Sequence, residues 1–220
     1  MIKSYVLNLS HNDWSLRTHG IGEDKLKVVM SRRIPYNGKE NVIGEIYAES
    51  DFLLKEIIKT MKRSRRVNEV NLIDIVKTKN DVRATIHVNV DLKGGIAEKL
   101  VSAGAIYYSE SIYDGFEKWL ILINSSNLLK VLPEIKEECY NFKLTEQDVP
   151  FLSAKHKLTK RERDIIEMSL MKGYFDYPKK VKLEEISEEL GVSKVAVLQT
   201  LRRAIKKVIK SNEDILTGKL

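Results

Sequence analysis

Residues 82–90, VRATIHVNV, alternate without a break between apolar and polar side chains. Side chains of an extended chain point alternately to opposite faces, so Val82, Ala84, Ile86, Val88 and Val90 share one face of a strand half-buried in a core. Asp91-Leu92-Lys93-Gly94-Gly95 then turns the chain, and Ile96, Leu100 and Val101 make one face of a short helix that Gly104 stops. Strands at about 105–112 and 116–123 follow, joined by Tyr113-Asp114-Gly115, an Asp-Gly hairpin signal. Ser125-Ser126-Asn127 offers capping oxygens to a second helix with Leu128, Leu129, Leu132 and Ile135 inward, and a last strand covers about 139–147. The order strand-helix-strand-strand-helix-strand is that of a ferredoxin-like unit.

The first 78 residues read as the same unit again. A strand at 2–9, a short helix near 11–17 and strands at 25–34 and 41–49 lead into a helix at 51–63 and a strand at 67–77. Tyr36-Asn37-Gly38 stands where Tyr113-Asp114-Gly115 stands later. At an offset of 75, Ile46 falls on Ile121, Ser50 on Ser125, and Leu53-Leu54-Lys55 on Leu128-Leu129-Lys130. The expected architecture is therefore α+β: tandem ferredoxin-like units at 1–78 and 79–150, the second ACT-like, followed by an all-α domain at 151–220.

Asp148-Val149-Pro150-Phe151 breaks the strand pattern, and Ser153-Ala154-Lys155-His156-Lys157 reads as a linker. Thr159-Lys160-Arg161-Glu162 is a capping box, in which the hydroxyl accepts from the Glu162 amide and the carboxylate reaches back to the cap. The helix it opens has Ile165, Ile166, Ser169 and Leu170 on one side and ends at Gly173. Residues 182–204, KLEEISEELGVSKVAVLQTLRRA, then hold a helix, a glycine turn and a second helix. Ile186 and Leu190 face inward, Gly191 takes the positive φ of the turn, Val192 plugs the corner and Ser193 caps the next helix. Val197, Leu201, Ile205 and Val208 bury that helix. Its remaining surface carries Lys194, Val195, Ala196, Leu198, Gln199, Arg202 and Arg203, with Lys206 beyond. This is helix-turn-helix spacing, and such a helix fits a major groove with its first half at base edges and its basic end on phosphates.

Charge points the same way. The chain carries a net +7; residues 154–220 hold 16 Lys/Arg against 10 Asp/Glu, whereas the preceding 153 residues hold 22 against 21. A basic end beside a neutral body suggests that one end meets a polyanion and the other does something else.

The stretch LTKRERDIIEMSLMKGYFDYPKKVKLEEISEELGVSKVAVLQTLRRAIKKVI resembles the DNA-binding domain of archaeal bacterio-opsin-activator-type transcriptional regulators. The resemblance is carried by Leu158-Thr159 with Arg161 and Glu162, and by Gly173-Tyr174-Phe175-Asp176 followed by Pro178. Leu183, Leu190-Gly191, Ser193 and Leu201-Arg202-Arg203-Ala204 complete it. It covers about 50 residues strongly, and the preceding 150 are similar to that family only in layout. It implies a sequence-specific factor binding double-stranded DNA. Ser187 stands where the family usually has alanine, and Val195, Ala196 and Leu198 are apolar where it more often has polar side chains. Apolar groups there read thymine methyls and make few hydrogen bonds to base edges.

Other features are weaker. Asp91, Gly94, Gly95 and Ile96 resemble the loop of amino-acid-binding ACT-type domains, where helix amides meet a carboxylate, and mark a candidate effector site. Lys59, Lys62, Arg63, Arg65 and Arg66 suit the C-terminal end of a helix. Cys139 reads as a small buried hydrophobe, and His87 sits on the polar face of its strand. The one cysteine and four histidines give no metal-ligand spacing, no cofactor is expected, and no hydrolase, P-loop or H-E-x-x-H motif suggests an enzyme. With no apolar run long enough for a bilayer and no signal peptide, the chain reads as soluble and cytoplasmic. Two half-sites read by one helix each require a two-fold homodimer, and the near-neutral N-terminal half, with Ile209, Ile215 and Leu216 as minor contributors, is the expected dimer surface. The alternative is an RNA-binding protein using the ferredoxin-like sheets, although their strands lack the aromatic signature that such sheets display.

Overall fold

In the computed structural model, which describes residues 1–79, 81–147 and 158–211, the 82–90 stretch lies inside an eight-stranded antiparallel sheet. Its strands are β1 (Ile2–His11), β2 (Leu26–Tyr36), β3 (Lys39–Ala48), β4 (Val67–Lys77), β5 (Val82–Asp91), β6 (Tyr107–Tyr113), β7 (Phe116–Asn124) and β8 (Cys139–Glu146). The helices of this unit are α1 (Asp51–Lys62), α2 (Ile96–Ser102) and α3 (Ser125–Glu137). The short helix expected near 11–17 is a 3₁₀ turn, Trp14–Thr18, capped by the Asp13 carboxylate, which accepts from the Trp14 amide at 2.6 Å. The chain divides into two compact units, Met1–Gln147 and Asp148–Leu220.

The α+β class holds, and the strand order is β4-β5-β3-β2-β6-β7-β1-β8. The two halves do not build separate sheets from their own strands. β1 pairs with β7 and β8, while β5 pairs with β3 and β4, so each half's first strand lies among the strands of the other half. The halves meet where β2 pairs with β6 over only Val28–Ile112, Val29–Ser111 and Met30–Glu110. Both internal hairpins are the same turn. Asn37 and Gly38 have φ of 49° and 73°, and Asp114 and Gly115 have 47° and 77°, the double positive φ of a type I′ turn that Asn-Gly and Asp-Gly adopt readily.

Two cores result. In one, Leu54, Ile57 and Met61 of α1 cover Val28, Ile46 and the Val82, Ala84, Ile86 and Val88 face of β5. In the other, Ile96 and Leu100 of α2 and Leu128 and Ile135 of α3 cover Leu7, Leu9, Ile121 and Ile123. The helix repeat sits one residue earlier than the sequence offset suggests. Ser50 caps α1, and Asn124, not the Ser125–Asn127 run, caps α3 by accepting from the Ser126 amide at 3.2 Å. Leu54 therefore corresponds to Leu128, and Leu129, expected inward, is 65% exposed because it lies about 100° around the helix from Leu128.

The seam between the halves is closed by charge. Arg33 of β2 donates to Glu40 of β3 at 2.6 Å and to Glu110 of β6, with its guanidinium 4.9 Å from the Trp119 ring centre. Tyr108 donates its hydroxyl to the other oxygen of Glu40. Burial disfavours the Arg33 charge, but Glu110 and Glu40 outweigh it and hold the guanidinium protonated.

The second unit holds α4 (Lys160–Met171), α5 (Leu183–Glu189) and α6 (Lys194–Ser211) around Ile165, Val181, Leu183, Ile186, Val197 and Leu201. The expected capping box is present. Thr159 Oγ1 accepts from the Glu162 amide at 3.2 Å, and Glu162 Oε2 accepts from the Thr159 amide at 2.8 Å. Leu170, expected on the buried side of α4, is 60% exposed; Ile165 and Ser169 supply that side. The linker residues and Ile215 and Leu216 lie outside the described residues.

Candidate nucleic-acid interface

The angle between α5 and α6 is set by Gly191. Its φ of 61° ends α5 in a Schellman turn, with the Val192 amide donating to Ser187 O at 3.0 Å and the Gly191 amide to Glu188 O at 3.1 Å. Ser193 then caps α6, its Oγ accepting from the Ala196 amide at 3.2 Å. Val197, Thr200, Leu201 and Ala204 are buried, which fixes the rotation of α6 and turns the opposite stripe outward.

That outward stripe contains Val195, Gln199, Arg202, Arg203, Lys206 and Lys210, all exposed, and Ser193 and Lys194 are exposed at its start. Ala196 is half-buried on its margin. Leu198 is half-buried and packs against the domain core. Lys194 is engaged by Glu184 of α5 in a surface ion pair. Arg203 donates to Thr200 Oγ1 at 3.1 Å.

Sequence spacing did not bring out the contribution of α4. A groove of about 690 Å³ runs between the start of α4 and α6, lined by Arg161 on one wall and by Gln199, Arg203, Lys206 and Lys210 on the other. Lys207 crosses its floor to Glu162 at 2.7 Å. That bond and the capping amide hold the Glu162 carboxyl below its ordinary range. Arg161 lies within the capping box, and only the packing of α4 on α6 reveals that it lines the same groove as the basic residues of α6.

Residues 158–210 match the family described as HTH DNA binding domain. The chain carries a helix-turn-helix DNA-binding domain of the bacterio-opsin-activator type there. Over 60 residues it is 40% identical to a protein of Haloferax volcanii titled "Putative transcriptional regulator", a stretch that is 27% of this chain and 10% of that protein. The chain thus spans a small fraction of the curated relative it matches. Among the described residues no helix is long and apolar enough to cross a membrane.

The other candidate site is arranged differently from the expectation. Gly94 has a φ of 75°, and its amide, expected free for a ligand carboxylate, donates to Glu98 Oε2 at 2.8 Å. The Arg66 guanidinium lies against Gly95, where a β-carbon would collide with it. Ile96 is buried in the core, and Asp91 accepts from Asn68 at 2.9 Å. Asp91 and Ile96 do line a small internal cavity of about 50 Å³, together with His11, Asp13, Arg33, Glu40, Arg66, Glu110, Glu117 and Trp119.

Proposed function

We propose that this protein is a sequence-specific, double-stranded-DNA-binding transcriptional regulator whose helix α6 enters the major groove. The observation that carries this reading is the solvent-facing stripe of α6 with the Arg161 wall beside it, in a domain matched to DNA-binding relatives. Val195, Ala196 and Gln199 are assigned to base edges, and Lys194, Arg202, Arg203 and Lys206 to phosphates. Ser193 supplies the cap that presents them. Leu198 is assigned a mixed role, since it also packs inward.

The N-terminal unit is assigned dimerisation and effector sensing. An open sheet with β4 and β8 at its edges supports the first role, since β4 exposes Leu72, Ile73 and Val76. The polar cavity supports the second. The pseudo-repeat of strands and helices supports reading the unit as two ferredoxin-like halves, 1–78 and 79–150, with their first strands exchanged, ahead of the DNA-binding region at 151–220.

Fluorescence anisotropy of the full chain on a randomised duplex pool, against single-stranded RNA of equal length, tests this reading. Arg202→Ala with Arg203→Ala should weaken duplex binding across sequences and lower the salt slope by about one unit per lost phosphate contact. Unchanged binding and salt dependence refute docking through α6, and a preference for RNA favours the sheet instead.

A further inference from the structure

We propose that the N-terminal unit binds a divalent transition-metal ion, of the Zn²⁺ class, through His11, Asp13 and Glu117. Glu117 is far from His11 and Asp13 in sequence, yet one donor atom of each lies within 4.8 Å of the others. His11 Nε2 stands 3.0 Å from Glu117 Oε1. A tetrahedral ion with bonds of roughly 2.0–2.2 Å holds its donors roughly 3.3–3.6 Å apart, so this pair need open by only a few tenths of an ångström to take it. Asp13, with a donor atom within 4.8 Å of the other two, is the third member of the set.

The backbone is arranged to bring the donors together. The β1–β8 register shifts between Ser10 and His11, an irregularity that re-aims the His11 side chain at the end of its strand. Asp13 is fixed by the Trp14 amide, Ser64 and Arg66. Glu117 accepts from Ser15 Oγ at 2.6 Å and from Trp119 Nε1 at 2.9 Å, the outer hydrogen bonds that orient a ligating carboxylate.

Charge and space favour a cation. The cavity beside the three residues is lined by five carboxylates, those of Asp13, Glu40, Asp91, Glu110 and Glu117, against the guanidiniums of Arg33 and Arg66. The cavity's roughly 50 Å³ accommodates a few water molecules, enough to fill the open coordination position. One imidazole nitrogen with two carboxylates selects a borderline transition metal over Ca²⁺ or Mg²⁺, which take oxygen alone. This names the ligand class for the sensing role proposed above and rests on that role only for its regulatory meaning; the metal site stands or falls separately.

The test uses the full chain after chelator treatment, with Zn²⁺ and Co²⁺ as probes. Isothermal titration should give one ion per chain, and Co²⁺ should show the intense visible bands of a four-coordinate site. Zn²⁺ should raise the unfolding temperature, an effect lost in His11→Gln and in Asp13→Asn and kept in His87→Gln. Should His11→Gln not fold, Asp13→Asn decides. Absence of stoichiometric binding in the wild type, or binding that survives the decisive variant, overturns the proposal. DNA affinity measured in parallel with and without Zn²⁺ separates failure of the site from failure of the regulatory reading.

Discussion

Replacing Arg33 by methionine should destabilise the N-terminal unit more than any other single change at the seam. The side chain is buried, and its guanidinium is the cation shared by Glu40 and Glu110 from two different strands. Methionine fills much of the volume but leaves two buried carboxylates without it. Removing one partner of a buried ion pair costs about 3–5 kcal/mol, because the remaining charge stays desolvated. Burial and the nearby Glu117 already raise the Glu110 carboxyl well above its ordinary range even with Arg33 present. Its folded-state pKa is above the unfolded one, so its contribution is fully present below the unfolded pKa and is lost as pH rises through the folded value. Without Arg33 that loss grows, so the deficit of Arg33→Met should be largest at neutral pH and shrink on acidification. Both tryptophans, Trp14 and Trp119, belong to this unit, so tryptophan fluorescence in urea, with chelator present, follows its unfolding alone. A deficit below about 1 kcal/mol, within the range of an exposed pair, or one independent of pH, would refute the argument.

Three further outcomes are expected. Gly191→Ala should destabilise the C-terminal unit by about 1–2 kcal/mol by circular dichroism, since a β-carbon there meets nothing within 4 Å and only the positive φ resists it. Glu184→Gln should release Lys194 and strengthen duplex binding a few-fold at low salt, with the gain vanishing at high salt. Burial, reinforced by Glu117 and Glu138, pushes the Cys139 thiol up to about 11, so iodoacetamide at mildly alkaline pH should label the folded chain far more slowly than the urea-unfolded one.

Local signals carried most of the element list. Asn37-Gly38 and Asp114-Gly115 announce their turns because few other pairs tolerate two positive φ values, and Thr159 with Glu162 announces a helix start by its spacing. The alternation of β5 tells which face is buried but not which strands flank it, so the pairing of β1 with β7 and β8 was not legible. Ser50 and Ser125 looked equivalent by residue type, yet the residue before Ser125 does the capping. In the DNA-binding unit most of the outward stripe of α6 followed from its period, but Val208, expected inward, is 41% exposed and Leu198, expected outward, packs on the core. Arg161 and the Glu184 pairing with Lys194 depend on how three helices pack. The His11–Glu117 contact spans so much chain that no spacing motif announces it.

The placement of β1 among β7 and β8 bears on how the unit is made. Of the sheet's strands β1 is synthesised first, but those that flank it are the last two. Until then its backbone amides and carbonyls have no ladder to join, and the core that holds Leu7 and Leu9 cannot close. Completion of that core therefore waits for contacts of very high sequence separation, which makes this part of folding slow. A cut between β4 and β5 leaves each piece without a strand that its own strands pair with. The two pieces can regain the sheet only by complementing each other, each lending the strand the other lacks. By the same geometry, a single half on its own would be completed only by a second copy of itself, so the intact N-terminal unit has the form of a strand-swapped dimer written into one chain.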